Sequence, residues 1–464
     1  MKWALAHSGC RARAILGAML VASLGLAACG TSPSSKAASN KKTLVWLLPT
    51  DPLLDPWAAK TAVPLFEKSH PNVRVEIVLS PHNNQKMLAM EAAGSPPDIF
   101  TDWNSTNFSQ LAAQHALLDL TPQLKAANVN VQQVLPSVLS HYVIHGQVYA
   151  VPWLANELVI GYNASLFKKY HVSIPPSSWS NRSWNTQVLL SDAKKLTHGL
   201  STPASTDWGA IIGPERSLPW LWGADFYNPH GGPFASSAYT NRQITALYMT
   251  RPSVVRAIQW GVNLTTKYHV SPPLADETAL STLGAPISSG RVAMEEMPAN
   301  GMVRTATTAK FKFKWGMAPV PYGPAGKNTG WVNENAWMVN AKTKHPKTAA
   351  EFVAFLANLP GKLSPAALGF LGPTKSAFKT WAAAARALPG FDMPKGTLTK
   401  VVWDGLKRPT IYNPGGSFVN AAQFDTAWTQ IMGPVYLGKT PVLTGLRQAQ
   451  AKYAKIAKCG SCKG

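Results

Sequence analysis

Hydrophobic and polar positions along this chain fall into short blocks whose period changes from one to the next. Residues 43–48, Thr-Leu-Val-Trp-Leu-Leu, are apolar after the first and include a β-branched and an aromatic side chain. That predicts a strand buried on both faces. Residues 58–69 repeat apolar side chains at helical spacing and stop before Pro71, and 73–79 alternate as a second strand. Residues 85–93 read as a helix closed by Gly94-Ser-Pro-Pro97. Asp98-Ile99-Phe100 opens a third strand, and 108–114 are helical again. Strand and helix in alternation predict an α/β fold, a parallel sheet with helices on both faces. Such sheets bind ligands beyond the carboxyl ends of their strands. Three loops are thereby singled out: 49–52, 80–84 and 101–104.

Further along, 147–153 are extended and 158–162 form a strand. Residues 185–196 and 253–268 read as helices, 291–294 and 314–317 as short strands. Residues 336–340 read as a strand, and 348–359, 421–436 and 442–457 as helices. Between them, 207–234 are rich in Gly, Pro and Trp with little periodicity, as in loops laid over a binding face.

The first apolar run, 14–26, follows a basic stretch with Lys2, Arg11 and Arg13 and ends in small residues. This is the anatomy of an export signal. The run is too short to span a bilayer, which takes about 20 apolar residues. Leu26-Ala27-Ala28-Cys29 resembles the lipobox of bacterial lipoproteins. That resemblance implies cleavage before Cys29, acylation of its thiol and a mature chain held on the extracytoplasmic face of the cell membrane. Residues 1–28 are then a signal peptide, and 29–42, small and polar, a flexible tether.

Charge narrows the partners. The chain has 44 Lys and Arg against 22 Asp and Glu, a net charge of +22; the leader holds three of the positives and no acid, and 22 minus 3 leaves +19. The positives are scattered, with denser patches at 342–347 and 452–463, and are not interleaved with stacking aromatics. That speaks against nucleic acid and fits an anionic surface or an acidic medium better. Of four cysteines, Cys10 leaves with the leader and Cys29 takes the lipid. Cys459 and Cys462 remain as a local disulfide or a pair of thiols, with no further ligands at metal spacing. No cofactor or metal is expected. Ser165-Leu-Phe-Lys168 and Ser191-Asp-Ala-Lys194 match Ser-x-x-Lys, but no Lys-Thr-Gly follows. There is no zinc-protease or nucleophile-elbow motif, and no evident carboxylate pair for glycoside hydrolysis. The chain reads as a binding protein, not an enzyme.

The segments Gly94-Ser-Pro-Pro-Asp98-Ile, Gly146-Gln-Val-Tyr-Ala-Val-Pro152-Trp, Gly161-Tyr-Asn163-Ala-Ser-Leu-Phe167-Lys-Lys, Ser289-Gly-Arg-Val-Ala-Met294 and Pro346-Lys-Thr-Ala-Ala-Glu351-Phe-Val-Ala-Phe occur in sequence. Together with Gly372-Pro-Thr374 they resemble the extracellular solute-binding proteins of family 1, which serve ATP-driven sugar importers. The resemblance covers nearly all of 43–457. It implies a two-lobed periplasmic-binding-protein fold of type II, each lobe a sheet flanked by helices, with several hinge crossovers. Lobe one is 43–153 with 328–374, and lobe two 154–327 with 375–464. A monomer captures a small carbohydrate between the lobes and presents it to the permease subunits of the importer.

Sugars offer weakly apolar C–H faces and polar edges, so their sites combine flat aromatic rings with amides and carboxylates. The chain carries 17 Trp, several in predicted loops. Asp102, Trp103 and Asn104 lie at a strand's carboxyl end, where relatives place ligand contacts. By the same resemblance Trp153 and Asn156 line the hinge side. Trp222 sits in the loop-rich stretch of lobe two, Asn300 follows the strand ending at Met294, and Trp331 and Asn333 lie where a glycine-rich turn re-enters lobe one. Asp98 reads as structural. Residues 181–184 are an insertion-like detour, and 232–239 are also irregular. An anionic solute, such as a uronate or glycerol phosphate, is the second reading, with Arg216 and Arg408 as the nearest cations. A surface carbohydrate adhesin is the third.

Overall fold

The computed structural model describes residues 41–199, 202, 205–213, 218–227, 239–240, 243–281, 284–328, 331–408, 411–412 and 418–458. Cys29, Cys459, Cys462 and Arg216 lie outside them. The twelve strands are β1 (Lys42–Pro49), β2 (Val73–Ser80), β3 (Ile99–Phe100), β4 (Val143–Ile144), β5 (Gln147–Val148), β6 (Ala150–Asn163), β7 (Tyr239–Thr240), β8 (Gln243–Ile244), β9 (Met294–Pro298), β10 (Trp315–Pro319), β11 (Trp331–Val339) and β12 (Ile411–Tyr412).

The continuous apolar run becomes β1, with Leu44, Trp46, Leu47 and Leu48 fully buried. It pairs in parallel with β2 on one side and β3 on the other, Trp46 opposite both Ile77 and Ile99. Beyond β3 the sheet turns antiparallel: β11 pairs with β3 and then with β6. The fold is therefore α/β as expected, with a parallel corner built from the first three strands.

β6 runs through both halves of the sheet. At 14 residues it is about 46 Å long, well beyond the usual strand. Residues 150–157 bond to β11, and from Leu158 onward the partners change to β9 and β10. Expected as two separate extended pieces, it is one strand, because tertiary pairing carries the chain through polar Asn156-Glu157. The register slips once, between Pro152 and Leu154, leaving Trp153 as an extra residue. A bulge of this kind bends a strand and re-aims its side chain.

Helices cover both faces. Around the first half, one core gathers Trp46, Trp57, Phe66, Trp337 and Phe352, and another on the opposite face gathers Phe100, Phe108 and Tyr142. Trp46 makes edge contacts with Trp337 at 5.4 Å and Phe352 at 4.9 Å, a geometry that suits the aromatic quadrupole. Around the second half, Leu158, Ile160 and Tyr162 face one core while Val159, Trp315 and Met317 face another. The helices Ala421–Tyr436 and Val442–Ala457 pair with Pro252–Thr266 in a further core through Trp428, Leu446 and Tyr453. Both terminal helices match their expected bounds.

Other expectations shift. The strand expected at 291–294 lies at Met294–Pro298. Trp331 opens β11 and is not in a turn. The helices Ala299–Ala309 and Lys375–Arg386 were not anticipated. Among the described residues no helix is long and apolar enough to cross a membrane.

Candidate functional site

The carboxyl ends of β1 and β3 and the start of the helix Asn83–Ala92 are tied into one polar rim. Asn83, buried, donates from Nδ2 to the Thr101 carbonyl at 2.5 Å. Asn107 donates from Nδ2 to the Asn84 carbonyl at 3.0 Å, and its amide donates to Asp102 Oδ2 at 2.8 Å. Asp51, in the loop after β1, accepts the Leu53 and Leu54 amides on Oδ1, both at 2.9 Å. It thereby satisfies N–H groups that a helix start leaves open. Trp103 sits half-buried between these loops.

Asp102 is buried, and Oδ1 has no hydrogen-bond partner. Burial pushes its pKa up to about 7, against the pull of the Asn107 amide. A carboxyl neutral near pH 7 can both donate and accept.

The opposite wall holds the residue that the sequence reading missed. The helix Ala299–Ala309 is anchored by Met302, Val303 and Ala306 in the core of β10, and it aims Arg304 at this rim. Arg304 donates from Nη2 to Asp51 Oδ2. Its guanidinium lies 4.5 Å from the Phe370 ring and 5.8 Å from the Trp103 ring, within cation–π range. Burial lowers its pKa to about 10, and Nε is left without a partner. Gly369 makes the approach possible. Its φ is +93°, and a Cβ there would come within 3.1 Å of Val303 Cγ1. A positive φ is a conformation that glycine adopts without strain.

A cavity of about 420 Å³ opens at Asn84, with Asn84, Gln85 and Thr106 on one side and Asp425, Thr426, Thr429 and Gln430 of the helix Ala421–Tyr436 on the other; Asp51, Asp102, Trp103 and Arg304 do not line it. The two walls belong to different cores, and the lining is rich in hydroxyls and amides.

The expected site residues separate accordingly. Asp102 and Trp103 fall on the rim. Asn300 is not after a strand ending at Met294 but second in the helix Ala299–Ala309, one turn before Arg304 and buried. Asn156 and Asn333 are direct partners where β6 and β11 cross, and Trp331 lies two residues from Asn333. The side chains of Asn104, Asn156, Trp331 and Asn333 lie outside the described residues. Trp153 is 8% exposed, stacked on Trp337 at 4.8 Å and 13°, with Nε1 donating to Thr101 Oγ1 at 3.1 Å. It packs the core in this structure. Trp153→Ala is expected to cost about 3–5 kcal/mol, read as a lower denaturant midpoint; an unchanged midpoint would overturn that assignment. Trp222 lines a different cavity, against Trp260. Arg408 is engaged by Asn328 Oδ1 at 2.8 Å and the Trp179 face at 4.9 Å.

Residues 49–362 match the family model for bacterial extracellular solute-binding proteins, and the chain belongs to that family. A probable ABC transporter-binding protein of Deinococcus radiodurans is 23% identical over 410 residues, 87% of this chain and 89% of that one. A maltodextrin-binding protein of Bacillus subtilis is 23% identical over 74% of this chain and 76% of its own length. Among solved structures, an ABC substrate-binding protein of Listeria monocytogenes in complex with cycloalternan superposes with a TM-score of 0.71 at 18% identity, covering 90% of this chain and all of that one. The family is extracellular, serves ABC transporters and includes sugar binders.

Proposed function

We propose that this chain is the lipid-anchored receptor of an ATP-driven sugar importer, capturing a neutral sugar or oligosaccharide between its lobes. The observation that carries this reading is the polar gap itself. Asp51 and the Trp103 ring hold Arg304 of the helix Ala299–Ala309, and Asn84, Gln85 and Thr106 face the hydroxyl-rich side of the helix Ala421–Tyr436. The relatives' maltodextrin and mannitol ligands are in keeping with it. Arg304, the cation in the gap, is already neutralised by Asp51, which favours an uncharged ligand over an anionic one.

The lobes divide at 43–153 with 328–374 and at 154–327 with 375–464. In support, core membership changes between Leu154 and Ala155, between Val332 and Ala336, and between Phe370 and Leu371. Three closely spaced crossovers make a hinge that lets two rigid bodies close on a ligand.

A thermal-shift panel of mono-, di- and oligosaccharides tests the function, since a ligand bound only by the native state raises the melting temperature. The expected result is a shift with at least one sugar that disappears in Trp103→Ala. A panel with no shift, or one that Trp103→Ala leaves intact, would overturn the reading. Anchoring through Cys29 has its own test: Cys29→Ala is expected to keep binding in vitro and to lose uptake in washed cells. Full uptake would rule the lipid out of the mechanism.

A further inference from the structure

A second built surface lies apart from the gap, on the outside of the second lobe. Two adjoining hollows of about 430 and 240 Å³ share Thr186, Gln187 and Pro324. They are bounded by the insertion-like residues 181–184, the turn 322–326 and the helix Pro252–Thr266. The larger hollow falls within the usual size of a small-ligand pocket, about 300–1,000 Å³, and the smaller extends it.

The larger hollow has an aromatic corner. Trp222 and Trp260, both half-buried against the core of Leu218, Leu221 and Ala257, meet at 5.5 Å and 51°. Their remaining exposed faces form a flat apolar corner of the kind that sugar rings stack on. Around the corner stand Gln187, Gln259, Asn263 and Arg256, with Gln259 Nε2 donating to Asn263 Oδ1 at 2.9 Å. The smaller hollow adds Arg182, stacked at 5.3 Å over Tyr322. No carboxylate lines either hollow among the described residues, and neither Arg182 nor Arg256 makes an ion pair among them.

The frame is rigid. The Thr186 amide donates to the Tyr322 carbonyl at 2.9 Å, and the Tyr322 amide to the Trp184 carbonyl at 2.9 Å. Tyr322 Oη donates to the Trp179 carbonyl at 2.9 Å, and Trp184 Nε1 to the Pro319 carbonyl at 2.8 Å. At Gly323 a Cβ would fall 2.1 Å from the Leu221 carbonyl oxygen, so the turn is pressed against the backbone. The detour at 181–184 thus builds one wall of a preorganised groove.

We propose that this groove is a second carbohydrate site, for an acidic polysaccharide. The indoles take the C–H faces of the sugar rings, the amides take hydroxyls, and Arg182 and Arg256 take ring carboxylates through paired N–H donors. The site would hold the anchored protein against an acidic glycan while the gap handles the transported solute, and it does not depend on which solute that is.

Affinity electrophoresis of the full chain in gels containing polygalacturonate, with neutral amylose gels in parallel, tests it. The expected result is retardation in polygalacturonate alone, weakened about tenfold in Trp260→Ala, for the loss of a stacking platform. Trp260→Ala leaves the net charge unchanged, so it separates a site from general attraction to a basic protein. Arg256→Gln, at a surface position that need not disturb folding, is expected to weaken retardation as well. Equal retardation of wild type and both variants, retardation in amylose instead, or none at all would each overturn the proposal.

Discussion

Lowering the pH from 8 to 5 is expected to raise the melting temperature of this protein. Burial pushes Asp102 up to about 7, Glu295 to about 8 and Glu157 to about 8. The Ile287 amide, at 2.7 Å from Glu295 Oε2, and the charge of Arg408 near Glu157 only partly oppose it. All three are acids whose folded pKa lies above the unfolded value, so between about pH 4 and 8 the folded chain holds more protons than the unfolded one. Stability then falls as pH rises through that window. Each pKa unit is worth about 1.4 kcal/mol, so three such shifts make a difference on the order of 5 kcal/mol once solvent penetration is allowed for. Asp207 works in the other direction. Burial raises it, but hydrogen bonds from Lys169 and Tyr170 and the charge of Arg291 outweigh burial and leave its pKa lowered. Its contribution is kept above the usual carboxylate range and lost only on stronger acidification. Calorimetric melts at pH 5, 6, 7 and 8 check this, with Glu157→Gln expected to flatten the slope. A melting temperature that holds or rises from pH 5 to 8 would sink the account.

What could be seen in the sequence was what a local pattern carries. β1 and β2 were legible because their runs are apolar or alternate without interruption, and the helices Ala421–Tyr436 and Val442–Ala457 because their apolar stripes are long. The unity of β6 was not legible, since Asn156 and Glu157 break the apolar run where its strand partners change. Those groups are held by β11, on a segment more than 150 residues away. The helix Ala299–Ala309 was hidden by Gly301 and by threonines at 305, 307 and 308, poor helix formers in water that its packing overrides. Arg304 was lost with it, because its partner Asp51 is 253 positions away. Trp153 and Trp222 show the limit for aromatics. Both lie in what the sequence offers as irregular chain, yet one closes a core and the other faces an outer groove.

The Asp51–Arg304 pair joins the loop after β1 to the helix Ala299–Ala309, which packs in a different core; on the lobe division proposed above, opening the lobes would break it. Replacing either partner alone is expected to weaken sugar binding by roughly two to three orders of magnitude. A buried charge stripped of its partner costs about 3–5 kcal/mol, and on the proposed hinge that cost would fall on the arrangement seen here, where Arg304 lies against Phe370 and Trp103. In the open form water can hydrate both groups. A ligand that binds the closed form loses apparent affinity in proportion to the closed population. Asp51→Asn separates charge from capping, because the amide oxygen can still accept the Leu53 and Leu54 N–H groups that Oδ1 now takes. Its melting temperature without ligand should therefore move little, while its affinity drops and small-angle scattering reports a larger radius. Arg304→Met should behave alike, and the double variant should lose less than the two singles added, since no charge is then left alone in the gap. Titration calorimetry and scattering on all three decide the matter. Single variants that bind as tightly as wild type, with unchanged radii, would show that the pair is not what holds the lobes together.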